Sequence, residues 1–526
     1  MPLAAVATAA LLLLPPQSPP IDPAGLPGTR ILAGGGRLPD GVYEHFLQLA
    51  GGKEKARIVL IPTASGTADE AEGRERTVTR WRTEHPGYTF ELLHTRDRKQ
   101  ADDEAFTAPL RAATGVWLGG GTQKRLADAY LGTRVERELQ ALLARGGVVG
   151  GTSAGTAIQT RTMIQEGKDP PIVATGFDFV PFAVSDQHFL ARNRLPRLVQ
   201  VLTTHRGHFG LGIDEGTAVS ITGRTMTVHG VSKALLVLAA VPGREQRIVE
   251  LAAGDTADLV TWQRAARDRG ELAAARTPPS TEAPKAAHAG ALVLVGGGRI
   301  PREVAERFVA LAGGAAAKVV LVPSAAPKEG RGDDPFARQL RELGVTEVRE
   351  LDCAHPSEVT AERLAVLADA TAIWFGGGRQ WRLVDAFEGT PAIAAFHAVL
   401  ARGGVVGGSS AGATIQGGFL VRGNPRGNAE MWCEGYDRGF GFLAGVAVDQ
   451  HFIVRNRLGD LEGLIAQQPQ LTGLGIDEGT AAIVRESALE VVGDSKVAIV
   501  TTRDGKPQTE WLAPGERRDL RLGKRP

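Results

Sequence analysis

The sequence predicts an α/β protein made of two tandem domains, each a three-layer α/β/α unit around a mainly parallel sheet. Three observations carry this expectation. The chain of 526 residues repeats itself once, in order, over almost its whole length. Within each copy, short β-branched runs alternate with helix-compatible stretches, the rhythm of a parallel sheet covered on both faces. The runs end in glycine clusters, at the carboxyl ends of strands where ligand sites form in such sheets.

The repeat is direct. ILAGGGRLPD from Ile31 answers LVLVGGGRIP from Leu292, and GVWLGGGTQKRLADAY from Gly115 answers AIWFGGGRQWRLVDAF from Ala372. LLARGGVVGGTSAGTAIQ from Leu142 answers VLARGGVVGGSSAGATIQ from Val399, and SDQHFLARNRL from Ser185 answers VDQHFIVRNRL from Val448. GLGIDEGTA occurs twice, from Gly210 and from Gly473. A period of about 260 residues is far longer than a solenoid repeat and means two complete globular domains, each with its own core. The domains are expected at 28–264 and 289–526. The intervening 265–288 ends in TPPSTEAPKAAHAG, whose Pro, Ala, Ser and Thr without periodicity read as a linker.

The elements follow in the same order in both halves. A strand ends in glycines (Ile31 to Gly36; Leu292 to Gly298), and a helix follows (Val42 to Ala50; Glu303 to Ala312). Next comes a buried strand closed by proline (RIVLIPTAS; KVVLVPSAA). A further helix leads to VWLGGG or IWFGGG, and another to GGVVGGTSAG or GGVVGGSSAG. The later part of each half is richer in strands, as in TAVSITGRTMTVHG.

Composition excludes several classes. Sixty basic residues against fifty-nine acidic ones leave a net charge of +1, which gives no global field for nucleic acid or a membrane surface. Aromatic residues are only 5%, too few for base-stacking platforms. Two cysteines, Cys353 and Cys433, build neither a disulfide scaffold nor a four-ligand zinc site; one bridge or two free thiols remain open. Residues 4–14, AAVATAALLLL, are too short to span a bilayer and match the apolar core of a secretory signal peptide, followed by Pro15, Pro16, Pro19 and Pro20. No basic residue precedes Arg30, so the usual positive start is missing. The expectation is a leader over 1–27 and a secreted or periplasmic protein, the alternative being a cytoplasmic one.

The glycine clusters do not read as nucleotide sites. Gly34 to Gly36 is followed by Arg37, Leu38 and Pro39, and Gly296 to Gly298 by Arg299, Ile300 and Pro301, so the third glycine of GxGxxG is absent in both copies. Glycines permitting a tight turn suffice there. The second clusters, Gly119 to Gly121 and Gly376 to Gly378, lead to Gln123 and Gln380. Successive backbone N–H groups in such a turn form an anion nest, half of an oxyanion hole.

GTSAG from Gly151 and GSSAG from Gly408 fit GxSxG between a buried strand and a helix-compatible stretch, the setting of a nucleophile elbow. Ser153 and Ser410 are the nucleophile candidates, and the next N–H, of Ala154 or Ala411, faces an oxyanion. A serine nucleophile needs a base and the base an orienting acid. The histidine shared by both copies is that of DQHF, His188 or His451. Downstream, IDEGTA offers Asp214 and Glu215, or Asp477 and Glu478. The order Ser, His, acid differs from the Ser, acid, His of α/β-hydrolases, which disfavours an esterase of that fold. His45, His205 and His208 lack equivalents in the second copy and read as surface or core histidines. Arg192, Arg194 and Arg197 follow His188. Arg455 and Arg457 follow His451, with Asp460 in the third place. Guanidinium groups grip carboxylates with two prongs, so the group suggests a carboxylate-bearing substrate, against the competing reading of a solvated charged face.

Together GGG-x-Q, GG[TS]SAG, DQHF-x-x-R-x-R and G-x-GIDEGTA resemble the cyanophycinases, within the peptidase E-like S51 serine peptidases, over both halves. The resemblance implies a class I glutamine amidotransferase-like α/β fold. It implies a Ser–His–Glu exopeptidase that cleaves cyanophycin, a polyaspartate carrying arginine on each β-carboxyl, into β-aspartyl-arginine dipeptides through an acyl-enzyme, without metal or organic cofactor. The triads would be Ser153, His188, Glu215 and Ser410, His451, Glu478. Substrate contacts would be Gln123, Asp186, Gln187, Arg192, Arg194 and Arg197, then Gln380, Asp449, Gln450, Arg455 and Arg457. The oxyanion donors would be Gly120 with Ala154, and Gly377 with Ala411. Asp460 departs from the family's arginine, which is expected to weaken carboxylate binding in the second copy. The family's dimers suggest an intramolecular pseudo-dimer of the two halves, with no nucleic-acid partner and no membrane partner once the leader is removed. The alternatives are an aspartyl dipeptidase of the peptidase E type and a non-catalytic binding protein.

Overall fold

A computed structural model describes residues 21–274, 289–328 and 334–520. The expected leader lies outside the described residues as far as residue 20, and the expected linker lies outside them from residue 275. The chain forms two compact units. The first comprises Met1–Val201, Gly210–Leu236 and Val249–Thr256, and the second Leu202–Phe209, Val237–Ile248 and Ala257–Pro526.

In the first unit the main sheet carries, in spatial order, Thr225–Gly230, Thr217–Gly223, Leu26–Ala33, Val148–Thr152, Gly115–Leu118, Arg57–Ile61 and Thr89–Leu92. From Leu26–Ala33 onward the pairings are parallel, while Thr217–Gly223 and Thr225–Gly230 add antiparallel strands. The β-branched run Arg57–Ile61 shows why both faces are covered. Ile58 and Leu60 pack with Val42, Phe46 and Trp81, while Val59 and Ile61 pack with Leu110, Leu126 and Leu139 on the other side. Side chains alternate between faces with period two, so an unbroken apolar strand needs helices on both. The predicted helix from Val42 is Asp40–Leu49. A smaller sheet contains Ala183–Gln187, Phe209–Ile213 and Lys233–Leu238, so the strand-rich end of each half is divided between two sheets.

The second unit repeats this plan. Its main sheet includes Glu347–Glu350, Lys318–Val322, Ala372–Phe375, Val405–Ser409 and Ala291–Val295, all parallel, then Thr480–Arg485 and Ala488–Gly493 antiparallel. The smaller sheet includes Leu443–Gln450 and Thr472–Ile476.

One boundary differs from the sequence expectation. Residues 265–274, read as the start of a linker, belong to the helix Leu259–Ala274. Ala265 and Ala266 are buried, and within the second unit Arg264 pairs with Asp385 and Glu388 and Arg269 with Glu434. The stretch AARDRGELAA is rich in Ala and Arg, both good helix formers. The linker reading rested on Pro, Ala, Ser and Thr without periodicity, which hold for the later part of 265–288 but not for 265–274, where the charged residues make ion pairs.

Candidate active site

The end of the first strand organises the candidate catalytic groups. The Ala33 carbonyl accepts the Ser153 N–H at 3.0 Å, the Gly34 carbonyl accepts the His188 N–H at 2.8 Å, and the Gly35 carbonyl accepts the Gly216 N–H, beside Glu215, at 2.9 Å. Three consecutive carbonyls therefore fix the backbone beside all three side chains. Val295, Gly296 and Gly297 do the same for Ser410, His451 and Gly479, at 2.9, 2.7 and 3.0 Å.

Ser153 caps the short helix Ala154–Ala157 after Val148–Thr152, with φ 51 and ψ −109; Ser410 has φ 55 and ψ −113. A non-glycine residue in this region stores strain and marks a functional turn. Tight approach makes the elbow possible, since a Cβ on Gly155 would lie 2.2 Å from the Leu118 carbonyl oxygen. Ser153 Oγ lies 2.9 Å from His188 Nε2, and His188 Nδ1 lies 2.6 Å from Glu215 Oε1. In the second unit Ser410 Oγ to His451 Nε2 is 2.9 Å and His451 Nδ1 to Glu478 Oε1 is 2.5 Å. With Nδ1–H donating to the carboxylate, Nε2 is left as the acceptor for the serine proton.

Both histidines hold a proton less tightly than an ordinary imidazole. Burial is the main cause for His188. The Glu215 hydrogen bond opposes it, and the Arg192 charge adds to the lowering. His451 follows the same pattern with Glu478 and Arg455. The bases thus stay neutral, and able to accept a proton, to lower pH than a free histidine.

Asp214, which the sequence left level with Glu215, takes a different place. Its Oδ1 accepts the Leu190 and Ala191 N–H groups at 3.0 and 2.9 Å, and its Oδ2 accepts the Ser232 hydroxyl at 2.7 Å. It secures the turn after His188, which itself sits at φ 50. Asp477 does likewise with Ile453, Val454 and Ser495. Burial works to raise the Asp214 pKa, but these donors outweigh it and hold the carboxyl below its ordinary value.

Gly120 stands beside Ser153, and Gly377 beside Ser410. Neither Gly120 nor Ala154 gives its N–H to a backbone acceptor among the described residues, and the same holds for Gly377 and Ala411. Both pairs of donors remain available for an oxyanion.

A cavity of about 430 Å³ opens beside Ser153 and His188, with Arg192, Arg194, Lys168 and Gln187 among its walls. Arg192 is exposed and has no side-chain partner among the described residues. Arg194 donates to the Gln187 carbonyl at 2.6 Å and to Asp186 at 3.3 Å. Asp186 and Arg197, grouped by sequence with the substrate contacts, are instead paired with each other. Asp186 is fully buried, accepting Arg197 Nε at 2.7 Å and Nη2 at 2.5 Å. A buried carboxylate with these donors braces the wall and has little left for a ligand. The Gln123 amide donates to the Ile164 and Gln165 carbonyls at 2.9 and 2.5 Å, positioning the strand Thr162–Glu166 at the cavity's edge.

In the second unit Ser410 borders a cavity of about 690 Å³ on the Gly377 side, with Arg338, Gln339 and Trp374. Asp449 is fully buried, and Gln450 and Gln380 are nearly so. Arg457 gives Nη1 to Asp449 at 2.9 Å and to the Gln450 side chain at 2.7 Å, while Arg455 is exposed. Asp460, expected to leave an opposing charge in the substrate site, does not: Arg422 binds it at 2.7 Å and also binds Asp449 through Nε and Nη2, both at 3.0 Å. Sequence reasoning missed Arg422 because it lies in a loop without a matching motif in the first half. It also took Gly35 for an ordinary turn glycine, though a Cβ there would lie 2.4 Å from His188 Cε1; the signal available was that GGG recurs as Gly296 to Gly298.

The family model for peptidase family S51 matches residues 31–229 and again 292–492. The cyanophycinase of Trichormus variabilis is 31% identical over 259 residues, covering 47% of this chain and 84% of that protein. The cyanophycinase of Synechococcus elongatus is 33% identical over 224 residues, covering 41% and 70%. Among solved structures, a peptidase from an acI-B1 actinobacterium has 22% identity and a TM-score of 0.37, covering 45% of this chain and 98% of its own. One family model thus accounts for most of the chain in two successive passes, and the chain belongs to peptidase family S51, as a serine peptidase with two tandem copies of the family domain.

Proposed function

We propose that the chain is a cyanophycinase-like exopeptidase, hydrolysing multi-arginyl polyaspartate to β-aspartyl-arginine dipeptides through a Ser–His–Glu acyl-enzyme. The observation that carries this reading is the juxtaposition of Ser153 and His188 with a cavity whose exposed wall presents Arg192, Arg194 and Lys168. The substrate is a polyaspartate chain whose β-linked arginine groups each end in a carboxylate, and guanidinium groups recognise carboxylates with directional hydrogen bonds. The identity to cyanophycinases supports the same substrate.

The reaction follows from the geometry. With a carbonyl carbon held near Ser153 Oγ, His188 Nε2 takes the hydroxyl proton as the C–O bond forms. Glu215 holds the imidazole by Nδ1–H and stabilises the imidazolium. The carbonyl oxygen gains negative charge and is held by the Ala154 and Gly120 N–H groups; loss of one such donor costs roughly 10²–10³ in rate in serine peptidases. Collapse breaks the C–N bond, and His188 gives its proton to the leaving amine. Water, deprotonated by His188, then attacks the acyl carbon and restores Ser153.

The test is product analysis. The purified protein is incubated with cyanophycin and the products are read by mass spectrometry. Release of β-aspartyl-arginine is expected. Cleavage of small aspartyl dipeptides but not of the polymer would overturn the substrate, and hydrolysis of neither would overturn the peptidase reading.

A further inference from the structure

The two active sites differ by a reciprocal exchange across the cavity wall. Gln123 and Gln380 make the same pair of amide bonds, to the carbonyls of Ile164 and Gln165 in one unit and of Val421 and Arg422 in the other. Gln165 therefore corresponds to Arg422, as Arg197 corresponds to Asp460 through the repeated DQHF segments. In the first unit the corresponding residue, in the strand Thr162–Glu166, is neutral, and the arginine bracing Asp186 comes from the helix Leu195–Thr204. In the second, the arginine bracing Asp449 comes from the loop, and the helix Leu458–Gln467 supplies the acid Asp460 that holds it. Burial works against the Arg422 charge, but the two carboxylates outweigh it and raise its pKa.

The exchange alters what a substrate can reach. Arg422 also donates to the Asn428 carbonyl at 3.0 Å, and Arg379, where the first unit has Thr122, donates to the Asn424 and Gly427 carbonyls, both at 2.8 Å. The loop is thereby drawn against the wall from two sides. Gln380 is 2% exposed, whereas Gln123 is half-buried. The Arg457 side chain is 6% exposed against 17% for Arg194, and its Nη1 serves Asp449, the Gln450 carbonyl and the Gln450 side chain at once. Of Arg379, Arg422, Arg455 and Arg457, Arg455 alone is exposed; the exposed Arg299 and Arg338 line the cavity on the Gly377 side instead.

We propose that Arg422 and Asp460 are specificity-determining residues that withdraw the carboxylate-binding wall from the second active site, so that it takes aspartyl amides whose side group lacks a carboxylate where the first site requires one. This rests on the reading of both sites as Ser–His–Glu peptidases.

The test uses one matched substrate pair, the trimer of β-aspartyl-arginine with free arginine carboxylates and the same trimer with those carboxylates amidated. Each is assayed with Ser410→Ala, which leaves the first site, and Ser153→Ala, which leaves the second. The kcat/KM ratio of acid to amide is expected to exceed ten for the first site and to stay below three for the second. Adding Arg422→Gln and Asp460→Arg to Ser153→Ala is expected to raise that ratio at least fivefold. The converse pair, Gln165→Arg with Arg197→Asp on Ser410→Ala, is expected to lower it, and stands in if the first exchange fails to fold. Equal ratios at the two sites, or ratios unmoved by a folded exchange, overturn the inference alone. Inactivity of both single-serine variants on every aspartyl substrate overturns the peptidase reading and the inference with it.

Discussion

Gly35 lies against the face of the His188 imidazole, so close that a Cβ would sit 2.4 Å from ring atom Cε1, and its backbone is left-handed at φ +101. Gly35→Ala must therefore push the ring away or shift the strand end that also holds Ser153 and Gly216. Misplacement of a catalytic group by about 1 Å costs on the order of 10²-fold in rate. On a Ser410→Ala background, which isolates the first site, Gly35→Ala is expected to lower kcat by about that factor with a small effect on KM. An unchanged kcat would mean that the imidazole is not held by this contact.

Asp214 is expected to act on the turn rather than on the chemistry. Asp214→Ala strands the Leu190 and Ala191 N–H groups and the Ser232 hydroxyl. Leu190 and Ala191 are exposed, so water partly replaces the lost acceptor and each donor costs less than the roughly 1–3 kcal/mol of a buried one. The expected result is a lowered melting temperature and roughly a tenfold loss of kcat, partly regained in Asp214→Asn, which keeps an acceptor oxygen. Loss of activity as deep as that of Glu215→Ala, with no change in melting, would instead make Asp214 the acid of the triad.

The pH profile has a definite sign. His188 must be neutral to accept the serine proton, so kcat/KM falls as pH drops through its pKa. Burial lowers that pKa, so the acid limb is expected below the ordinary imidazole range. Arg192→Gln removes a charge that lowers it, and the limb should move to higher pH. Glu215→Gln removes a hydrogen bond that raises it, and the limb should move to lower pH, with kcat reduced by about 10²–10⁴-fold. Profiles of kcat/KM on the Ser410→Ala background measure both shifts, and movement in the opposite directions would contradict the assignment of His188 as base.

Cys353 and Cys433 are free and buried. Burial raises both thiol pKa values, that of Cys433 to about 12. The thiolate is the reactive form, so a thiol reagent at neutral pH is expected to titrate neither cysteine in the native protein and both after denaturation. Rapid native labelling would contradict the packing around them.

The sequence made the alternation of strands and helices legible because Arg57–Ile61 and its equivalents are apolar throughout, as a sheet buried on both faces requires. Ser153 was legible because the elbow needs small neighbours at fixed spacing, and His188 because its motif recurs. Asp214 and Glu215 were not separable, being adjacent residues of one motif whose directions depend on a strand end over 170 residues earlier in the chain. Arg197 looked like a ligand group because sequence does not display that Asp186 is buried beneath it. Arg422 was invisible because its significance depends on Asp449 and Asp460, 27 and 38 residues away in the chain.

The central claim is that each half carries its own working Ser–His–Glu site. The most direct measurement is β-aspartyl-arginine release from cyanophycin by the unaltered protein, Ser153→Ala, Ser410→Ala and the double variant, each verified as folded. The account predicts release by the unaltered protein and by Ser410→Ala, slower release by Ser153→Ala, and none by the double variant. Undiminished release by the folded double variant would contradict it, because neither serine would then be the nucleophile.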